Sequence, residues 1–226
     1  MADFPFAIVG FDLDGTLLDT SPDLTTAVNH ALAAARRAAL TPEQVKPRIG
    51  GGAKHMLRQT LDATGGCDDA EFRRLYKLML TYYEAHIADA TVPFPGALDT
   101  LDALAARGVR LAVVTNKFEA LADKLLGLLN LRDRFDCLIG GDTLGKGNAK
   151  PSPGPIHAMI ERCGGGRAAF VGDSRYDIAA GQAAGVPTVA VSFGFLLQPV
   201  ETLGADAIIA SHDELIPALE RLACAT

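Results

Sequence analysis

The sequence contains no tryptophan, and its cysteines are few and scattered. Cys67, Cys137, Cys163 and Cys224 form no C-x-x-C pair and do not have the spacing to histidines that is typical of zinc sites. A cysteine-based zinc site and a C-x-x-C redox centre are therefore not expected. We expect the four thiols to be reduced and mostly buried.

The sequence also lacks a cluster of basic residues and a long apolar segment. Its 226 residues include 21 Lys and Arg against 27 Asp and Glu, a net charge of −6, so nucleic acid is not an expected partner. No segment approaches the roughly 18 apolar residues that span a membrane, and the chain does not open with a basic region followed by a long apolar stretch. We expect a cytoplasmic protein without membrane contact, either a monomer or a homodimer.

Apolar residues make up 49% of the sequence, and many lie in short runs bounded by Gly, Asp or Pro. Runs without polar alternation are typical of strands that are buried on both faces. Helix-like segments separate the runs, and this alternation predicts a parallel α/β sheet. The predicted strands are residues 6–11, 109–114, 168–171 and 188–191, with 135–139 and 206–210 near the sheet edges, and the predicted helices between them are 97–107, 119–129 and 156–163.

Residues 19–92 interrupt this alternation, because strand signals vanish and helical stretches take their place. The predicted helices are residues 23–37, 53–63 and 69–88. The sequence Val92-Pro93-Phe94-Pro95-Gly96 then ends the helical region, since it cannot continue a helix. We predict an all-helical domain of residues 19–92, inserted into an α/β core formed by residues 1–18 and 93–226.

The first candidate site follows the first predicted strand, in the segment Asp12-Leu13-Asp14-Gly15-Thr16. Residues i and i+2 of an extended backbone point to the same side, so Asp12 and Asp14 share one small volume. Repulsion between two carboxylates favours either a bound cation or one retained proton. Both outcomes suit phosphoryl transfer, in which one carboxylate attacks and the other gives and takes a proton. The alternatives are an Asx turn or helix cap, and a calcium loop, for which Thr16 and Asp23 are unsuitable at its fifth and twelfth positions.

The second candidate site is the segment Thr115-Asn116-Lys117, between a predicted strand and a predicted helix. Backbone N–H groups at a helix N-terminus point towards an anion, and the Thr115 hydroxyl adds a donor for a phosphate oxygen. The alternative is that Thr115 only caps the helix. Lys150, which precedes Pro151, is the leading cation to offset two carboxylates and a phosphate, with a solvated surface lysine as the alternative.

The last candidate site is the segment Gly172-Asp173-Ser174-Arg175-Tyr176-Asp177, which again follows a buried strand. Mg²⁺ prefers oxygen ligands, so a carboxylate of this segment and one of the first segment could hold it together. The alternative is that Asp173 caps the following helix. All these segments lie at the carboxyl ends of predicted parallel strands, which is where open α/β sheets bind their ligands.

Together, Asp12-x-Asp14-Gly15-Thr16, Thr115, Lys150 and Gly172-Asp173-x-x-x-Asp177 resemble the four motifs of the haloacid dehalogenase superfamily. The resemblance spans nearly the whole chain and implies a Rossmann-like core with an inserted helical cap domain. It implies that Asp12 is the nucleophile that forms an aspartyl-phosphate and that Asp14 is the general acid and base. It also implies that Thr115 binds phosphate and that Lys150 bridges nucleophile and phosphate.

The same resemblance implies Mg²⁺ as the cofactor, held by Asp12, the backbone carbonyl of Asp14 and Asp173, with Asp177 in a supporting role. Segments outside the motifs resemble the phosphoglycolate phosphatases of that superfamily, namely residues 21–28, 49–53, 115–117, 139–142 and 192–195. This likeness implies a phosphatase that hydrolyses a small phosphate monoester, 2-phosphoglycolate in particular.

The specificity of such an enzyme is expected to depend on the glycine-rich loop of residues 48–55 in the helical domain. Arg48, Lys54 and His55 are the cationic or titratable groups beside the glycines, and one of them could neutralise a second anionic group of the substrate. The expected substrate contacts are Arg48, Gly51, Thr115, Asn116, Lys117 and Lys150.

Other functions on the same fold stay open from the sequence. Related phosphatases act on pyrophosphate, nucleotides or sugar phosphates, and the shared motifs do not set specificity. A phosphonatase would use a Schiff-base lysine in the helical domain, for which Lys46 and Lys54 are candidates. A non-catalytic phosphate-binding protein would keep the fold without turnover.

Overall fold

The computed structural model describes residues 4–224, so the ends of the predicted core, residues 1–3 and 225–226, lie outside the described residues. In chain order the strands are β1 (Ile8–Phe11), β2 (Leu18–Asp19), β3 (Val92–Pro93), β4 (Arg110–Val114), β5 (Cys137–Ile139), β6 (Ala168–Gly172), β7 (Thr188–Val191) and β8 (Ala207–Ile209). Six of them form one parallel sheet in the order β5, β4, β1, β6, β7, β8, which confirms the predicted sheet.

Strand β1 lies at the centre of the sheet because it pairs with β4 on one side and with β6 on the other. In register, Phe11 lies opposite both Val113 and Val171, so these three strands end at nearly the same level. The carboxyl ends of parallel strands share one edge of a sheet. Residues that follow β1, β4 and β6 are therefore brought together although they are distant in sequence.

Helices cover both faces of the sheet, as the unbroken apolar strands predict. The helices are α1 (Ser21–Ala34), α2 (Pro42–Val45), α3 (Ala53–Ala63), α4 (Asp69–Ala85), α5 (Ala97–Ala105), α6 (Glu119–Leu128), α7 (Gly154–Arg162), α8 (Arg175–Ala183) and α9 (Leu215–Cys224). Val9 on β1 belongs to the apolar cluster that contains α5 and α9 residues, whereas Ile8 belongs to the cluster with Ile156 and Met159 of α7. Helix α9 was not predicted.

Helices α1 to α4 lie between the short strands β2 and β3, in the part of the chain that was predicted to be helical. The predicted helix 23–37 begins earlier, at Ser21, because Pro22 is tolerated in the first turn, and it ends at Ala34, just before Arg36 adopts a φ of 55°. The predicted helix 69–88 ends at Ala85. The short helix α2 and the pairing of β2 with β3 were not predicted.

The two ends of this helical insertion are fastened to each other. Strands β2 and β3 pair in antiparallel fashion, with Leu18 opposite Pro93 and Asp19 opposite Val92. The buried carboxylate of Asp23 accepts hydrogen bonds from the Ala90 N–H at 3.0 Å, the Thr91 N–H at 2.9 Å and the Thr91 hydroxyl at 2.7 Å. These bonds hold together the points where the chain leaves and re-enters the core.

All four cysteines are free thiols, but only Cys137 and Cys163 are buried. Cys67 is half-buried and Cys224 is exposed, so the expectation of mostly buried thiols holds for only part of the set. Among residues 4–224, no helix has both the length and the apolar character needed to cross a membrane.

The buried imidazole of His212 supports the loop that follows β1. Its Nε2 lies 3.0 Å from the backbone carbonyl oxygen of Thr16, so Nε2 carries the hydrogen and donates it. The side chain is 1% exposed, its Nδ1 has no partner among the described residues, and burial lowers the pKa of His212. The folded protein therefore holds this histidine in its neutral form.

This burial predicts a loss of stability in mild acid. The unfolded chain takes up a proton at His212 near pH 6.5 while the folded chain does not, so stability contributed by this group is present above that pH and declines below it. We expect thermal unfolding temperatures of the wild type and of His212→Gln, which keeps a donor at the same position, to converge between pH 7 and pH 5. A difference that stays constant with pH would contradict the prediction.

Candidate active site

Four loop segments meet at the carboxyl edge of the sheet. The loop after β1 carries Asp12 and Asp14, the loop after β4 carries Thr115, and the loop after β6 carries Asp173. Lys150 lies in the connection between β5 and α7 and is 4% exposed, which rules out a solvated surface lysine. The parallel order of the strands brings these segments to one place.

Lys150 joins the first and last of the predicted segments. Its Nζ lies 2.6 Å from Asp12 Oδ1, 2.6 Å from Asp177 Oδ1 and 2.6 Å from the carbonyl oxygen of Val114. An ammonium group has three donors, and all three are used. Lys150 is therefore a charge bridge between two carboxylates, and it fixes the direction of the Asp12 side chain.

Asp12, Asp173 and Asp177 offer carboxylate oxygens that all lie within 4.8 Å of one another. Burial raises the pKa of Asp12 to about 7, with the attraction of Lys150 opposing the shift and the charges of Asp177 and Asp14 adding to it. Burial, followed by the charges of Asp177 and Asp12, raises the pKa of Asp173 well above its usual range. The single positive charge of Lys150 does not balance the three carboxylates of this cluster.

The side chain of Asp173 does not cap the helix that follows it. The N-cap of α8 is Ser174, whose side chain forms a capping box with Asp177, so the predicted alternative role of Asp173 as a cap is wrong. Its Oδ2 accepts a hydrogen bond from the Phe195 N–H at 2.6 Å, while its buried Oδ1 has no partner among the described residues. Gly15, with a φ of 87°, passes so close to this carboxylate that any Cβ there would collide with it.

Asp14 lies at the other side of the site, against Lys117. Lys117 Nζ is 2.5 Å and 2.8 Å from the two Asp14 carboxylate oxygens and 2.9 Å from the Tyr83 hydroxyl oxygen. The Thr20 hydroxyl also donates to Asp14 Oδ1 at 2.7 Å. Burial acts to lower the pKa of Lys117, but the charge of the Asp14 carboxylate opposes this, and the pKa of Lys117 is raised.

The other two residues of the second segment have different roles in the structure. Thr115 is 3% exposed and accepts a hydrogen bond from the Lys117 N–H at 3.2 Å, and since Phe118 is the N-cap of α6, Thr115 is not the cap. The Asn116 amide donates to the carbonyl oxygens of Gly50 at 2.9 Å and Lys150 at 3.1 Å. Asn116 therefore ties the glycine loop of the insertion to the core.

A cavity of about 240 Å³ lies between the helical insertion and the core, with Asp12 and Asp14 at its base. Gly51 and Lys54 line it from the insertion, and Thr115, Asn116 and Lys117 line it from the core. Apolar side chains form much of the remaining wall: Leu24, Ile49, Met56, Tyr76, Phe118 and Leu121.

Of the three cationic candidates of the glycine loop, only Lys54 lines this cavity. Arg48 and His55 line a smaller neighbouring cavity that also contains Asp173 and Tyr176. The His55 Nε2 and the Tyr176 hydroxyl are 3.4 Å apart. Lys54 is exposed and makes no hydrogen bond or ion pair with other residues of the described part, 4–224.

Known proteins are similar to this chain over most of its length. The sequence profile described as haloacid dehalogenase-like hydrolase matches residues 9–191, a range that starts within β1 and ends at the last residue of β7. The chain belongs to the haloacid dehalogenase-like hydrolase family. All four motif segments on which the resemblance was based lie within the matched range.

Individual relatives of this hydrolase match over nearly their whole length. It is 39% identical to a phosphoglycolate phosphatase of Agrobacterium fabrum, over 95% of this chain and 92% of that protein. It is 42% identical to a phosphoglycolate phosphatase of Rhodospirillum rubrum, over 90% of this chain and 86% of that one. The crystal structure of a predicted phosphoglycolate phosphatase from Haemophilus somnus superimposes with a TM-score of 0.88 at 29% identity, covering 94% and 97% of the two chains.

Two contacts of the hydrolase's site were missed by sequence analysis. Tyr83 lies on the buried face of α4 with Leu75 and Met79, and this helical spacing predicts burial but not the partner of its hydroxyl. Thr20 precedes α1, where a cap is the ordinary expectation, but its side chain bonds Asp14 instead of the helix. Both depend on how the insertion lies on the core.

Proposed function

We propose that this hydrolase cleaves 2-phosphoglycolate to glycolate and phosphate, with Mg²⁺ and through an aspartyl-phosphate on Asp12. The observation that carries the proposal is the buried pairing of Lys150 with Asp12, which leaves one oxygen of that carboxylate free of the lysine at the base of the cavity. Near full-length similarity to proteins named phosphoglycolate phosphatase supports the choice of substrate.

The residues present fit a magnesium ion. Three carboxylates share the charge of one lysine, and the Asp173 Oδ1 oxygen is buried without a partner among residues 4–224. Hard divalent cations prefer such oxygen ligands. Asp12, Asp173 and the backbone carbonyl of Asp14 would hold the ion, with Asp177 supporting, and the bound ion would supply positive charge beside the phosphoryl oxygens.

The side chains then divide the chemistry between them. Asp12 attacks phosphorus and the ester bond breaks, while Asp14 gives its proton to the departing glycolate oxygen. Water next attacks the aspartyl-phosphate, gives its proton to Asp14 and releases phosphate from Asp12. Lys150 and Thr115 offset the negative charge that accumulates on the phosphoryl oxygens.

The helical insertion, residues 19–92, acts as a cap domain that covers the reacting groups. Its glycine loop, fastened to the core by Asn116, and helix α4 close the cavity over Asp12 and Asp14. Exclusion of water strengthens the electrostatic interactions inside the site and protects the first step from competing reactions.

Lys54 is the group we assign to the substrate's carboxylate. Lys150 and Lys117 already contact acceptors of the protein, namely Asp12, Asp14, Asp177, Val114 and Tyr83. Lys54 is the one remaining lysine or arginine among the described residues that line the cavity. A second anionic group held at a fixed distance from the phosphate selects phosphoglycolate over neutral alkyl phosphates.

The nucleophile is tested by Asp12→Asn on a panel of 2-phosphoglycolate, sugar phosphates, a nucleotide, pyrophosphate and a β-carbonyl phosphonate. We expect the wild type to give its highest kcat/KM with 2-phosphoglycolate, and the variant to lose on the order of 10⁴-fold or more in kcat while keeping its fold. Asp133→Asn, an exposed change of the same kind, is the control. Substantial turnover by Asp12→Asn would refute the mechanism, and equal activity on sugar phosphates would refute the substrate.

The metal is tested by thermal unfolding with and without MgCl₂. At 100 times its Kd, Mg²⁺ is expected to raise the unfolding temperature of the wild type by roughly 5–10 °C. Asp173→Asn is expected to unfold at a higher temperature than the wild type without Mg²⁺, because like-charge repulsion is relieved, and to lose most of the Mg²⁺ effect. An undiminished Mg²⁺ shift in this variant would contradict the assignment of Asp173 as a ligand.

The carboxylate contact is tested by comparing 2-phosphoglycolate with ethyl phosphate, which lacks the carboxylate. Lys54→Met is expected to lower kcat/KM about tenfold or more for 2-phosphoglycolate and to leave ethyl phosphate unchanged, since only the first substrate loses a charged hydrogen bond. Arg48→Met is the matched comparison. A selective loss in Arg48→Met instead would assign the contact to Arg48, as the sequence predicts.

A further inference from the structure

Three side chains form a connection from the helical insertion to the carboxyl edge of the sheet. Tyr83 on α4 lies with its hydroxyl oxygen 2.9 Å from Lys117 Nζ, and that Nζ contacts both Asp14 oxygens at 2.5 Å and 2.8 Å. The exposed fractions are 3% for Tyr83, 8% for Lys117 and 9% for Asp14. The three residues come from the insertion, the loop after β4 and the loop after β1.

These bonds direct Lys117 towards acceptors of the protein. Its Nζ contacts both oxygens of the Asp14 carboxylate and the Tyr83 hydroxyl oxygen, so the ammonium group is held between Asp14 and the insertion. The expectation that Lys117 also contacts the substrate stays a prediction. Burial also raises the pKa of Tyr83 to about 12, so the hydroxyl is neutral and its oxygen accepts from Lys117.

The position of Asp14 therefore depends on donors from two sides. Lys117 approaches from the core but is itself held by Tyr83 of the insertion, and Thr20 approaches from the segment that leads into α1. A buried ammonium group without its full set of acceptors is costly, so loss of the Tyr83 contact favours a different placement of Lys117.

We infer that Tyr83 and Lys117 are positioning residues for Asp14, so that seating of helix α4 on the core places the proton donor of the reaction. The inference rests on the proposed function, which gives Asp14 the role of general acid and base. Lys117 also lies against the carboxylate that Asp14 becomes once it has given up its proton, and it stabilises that charge.

The need for the proton of Asp14 in the first chemical step differs between alkyl and aryl esters. Asp12 forms a bond to phosphorus, the ester bond breaks with its electron pair on the leaving oxygen, and Asp14 supplies the proton to that oxygen. An alkoxide needs this proton, whereas p-nitrophenolate is stable enough to leave without it. Because kcat/KM reports the steps up to the phosphorylated enzyme, a misplaced Asp14 lowers kcat/KM for alkyl esters and spares the aryl ester.

The experiment compares Tyr83→Phe with the wild type on p-nitrophenyl phosphate and on the best alkyl phosphate of the panel. We expect a fall of about tenfold in kcat/KM for the alkyl ester, the loss expected for a hydrogen bond to a charged group, and less than about twofold for the aryl ester. Tyr82→Phe is the matched control. Tyr82 is the neighbouring residue on α4, its ring stacks on His30 and His86, and its hydroxyl has no partner among residues 4–224, so the ratio of the two kcat/KM values should not change.

Several outcomes would overturn the inference. An equal fall for both esters would show that Tyr83 only supports packing, and no fall for either would show that Asp14 is placed without it. If Tyr83→Phe does not fold, Lys117→Gln takes its place, with the same split expected and the same two results counting against it.

The outcomes also separate the inference from the proposed function. If the wild type hydrolyses neither ester, the proposed function and the inference fail together. If the wild type prefers another alkyl phosphate to 2-phosphoglycolate and Tyr83→Phe still affects alkyl esters selectively, the substrate assignment fails and the inference stands.

Discussion

Compensation of buried negative charge by Lys150 is the interaction on which the rest of the site depends. Two carboxylates, Asp12 and Asp177, lie within 2.6 Å of one ammonium nitrogen in a nearly dry environment. Removing one partner from such a buried arrangement typically costs about 3–5 kcal/mol, because the other charges stay behind uncompensated. The same pairing orients the Asp12 carboxylate and leaves Asp173 as the carboxylate that still lacks a counter-charge. Lys150 therefore both stabilises the buried charges and orients the reacting group.

Much of the core could be predicted because its signals are local. The unbroken apolar run of β1 and the acidic residues Asp12 and Asp14 directly after it show both the strand and its functional end. Parallel pairing then requires that residues after β4 and β6 reach the same edge, which is how Thr115 and Asp173 could be placed near Asp12 from the sequence. These predictions needed only the parallel order of the strands and the regular alternation of side chains along a strand.

The cap side of the site could not be predicted to the same depth, because its contacts depend on the placement of one set of helices on another surface. Lys54 and Arg48 carry the same charge six residues apart, yet they line different cavities, since Arg48 precedes the glycines of the loop and Lys54 follows them in the first turn of α3. Lys117 has no sequence signal that separates a phosphate contact from a carboxylate contact. Its partner Tyr83 lies 34 residues away in the chain, on a helix whose spacing of apolar residues indicates only a buried face.

The short pairing of β2 with β3, reinforced by Asp23, places the two chain connections between the insertion and the core side by side. Residues as far apart as Leu18 and Pro93 lie opposite each other there, so the path of the chain between them does not affect how the core closes. A segment attached in this way is modular: another fold could replace it at the same two strands without disturbing the sheet, provided that it supplied contacts to Asp14 and Lys117 like those of Thr20 and Tyr83. Diversification of substrates on this core would then proceed by exchange or rebuilding of the insertion, while the acidic edge stays the same.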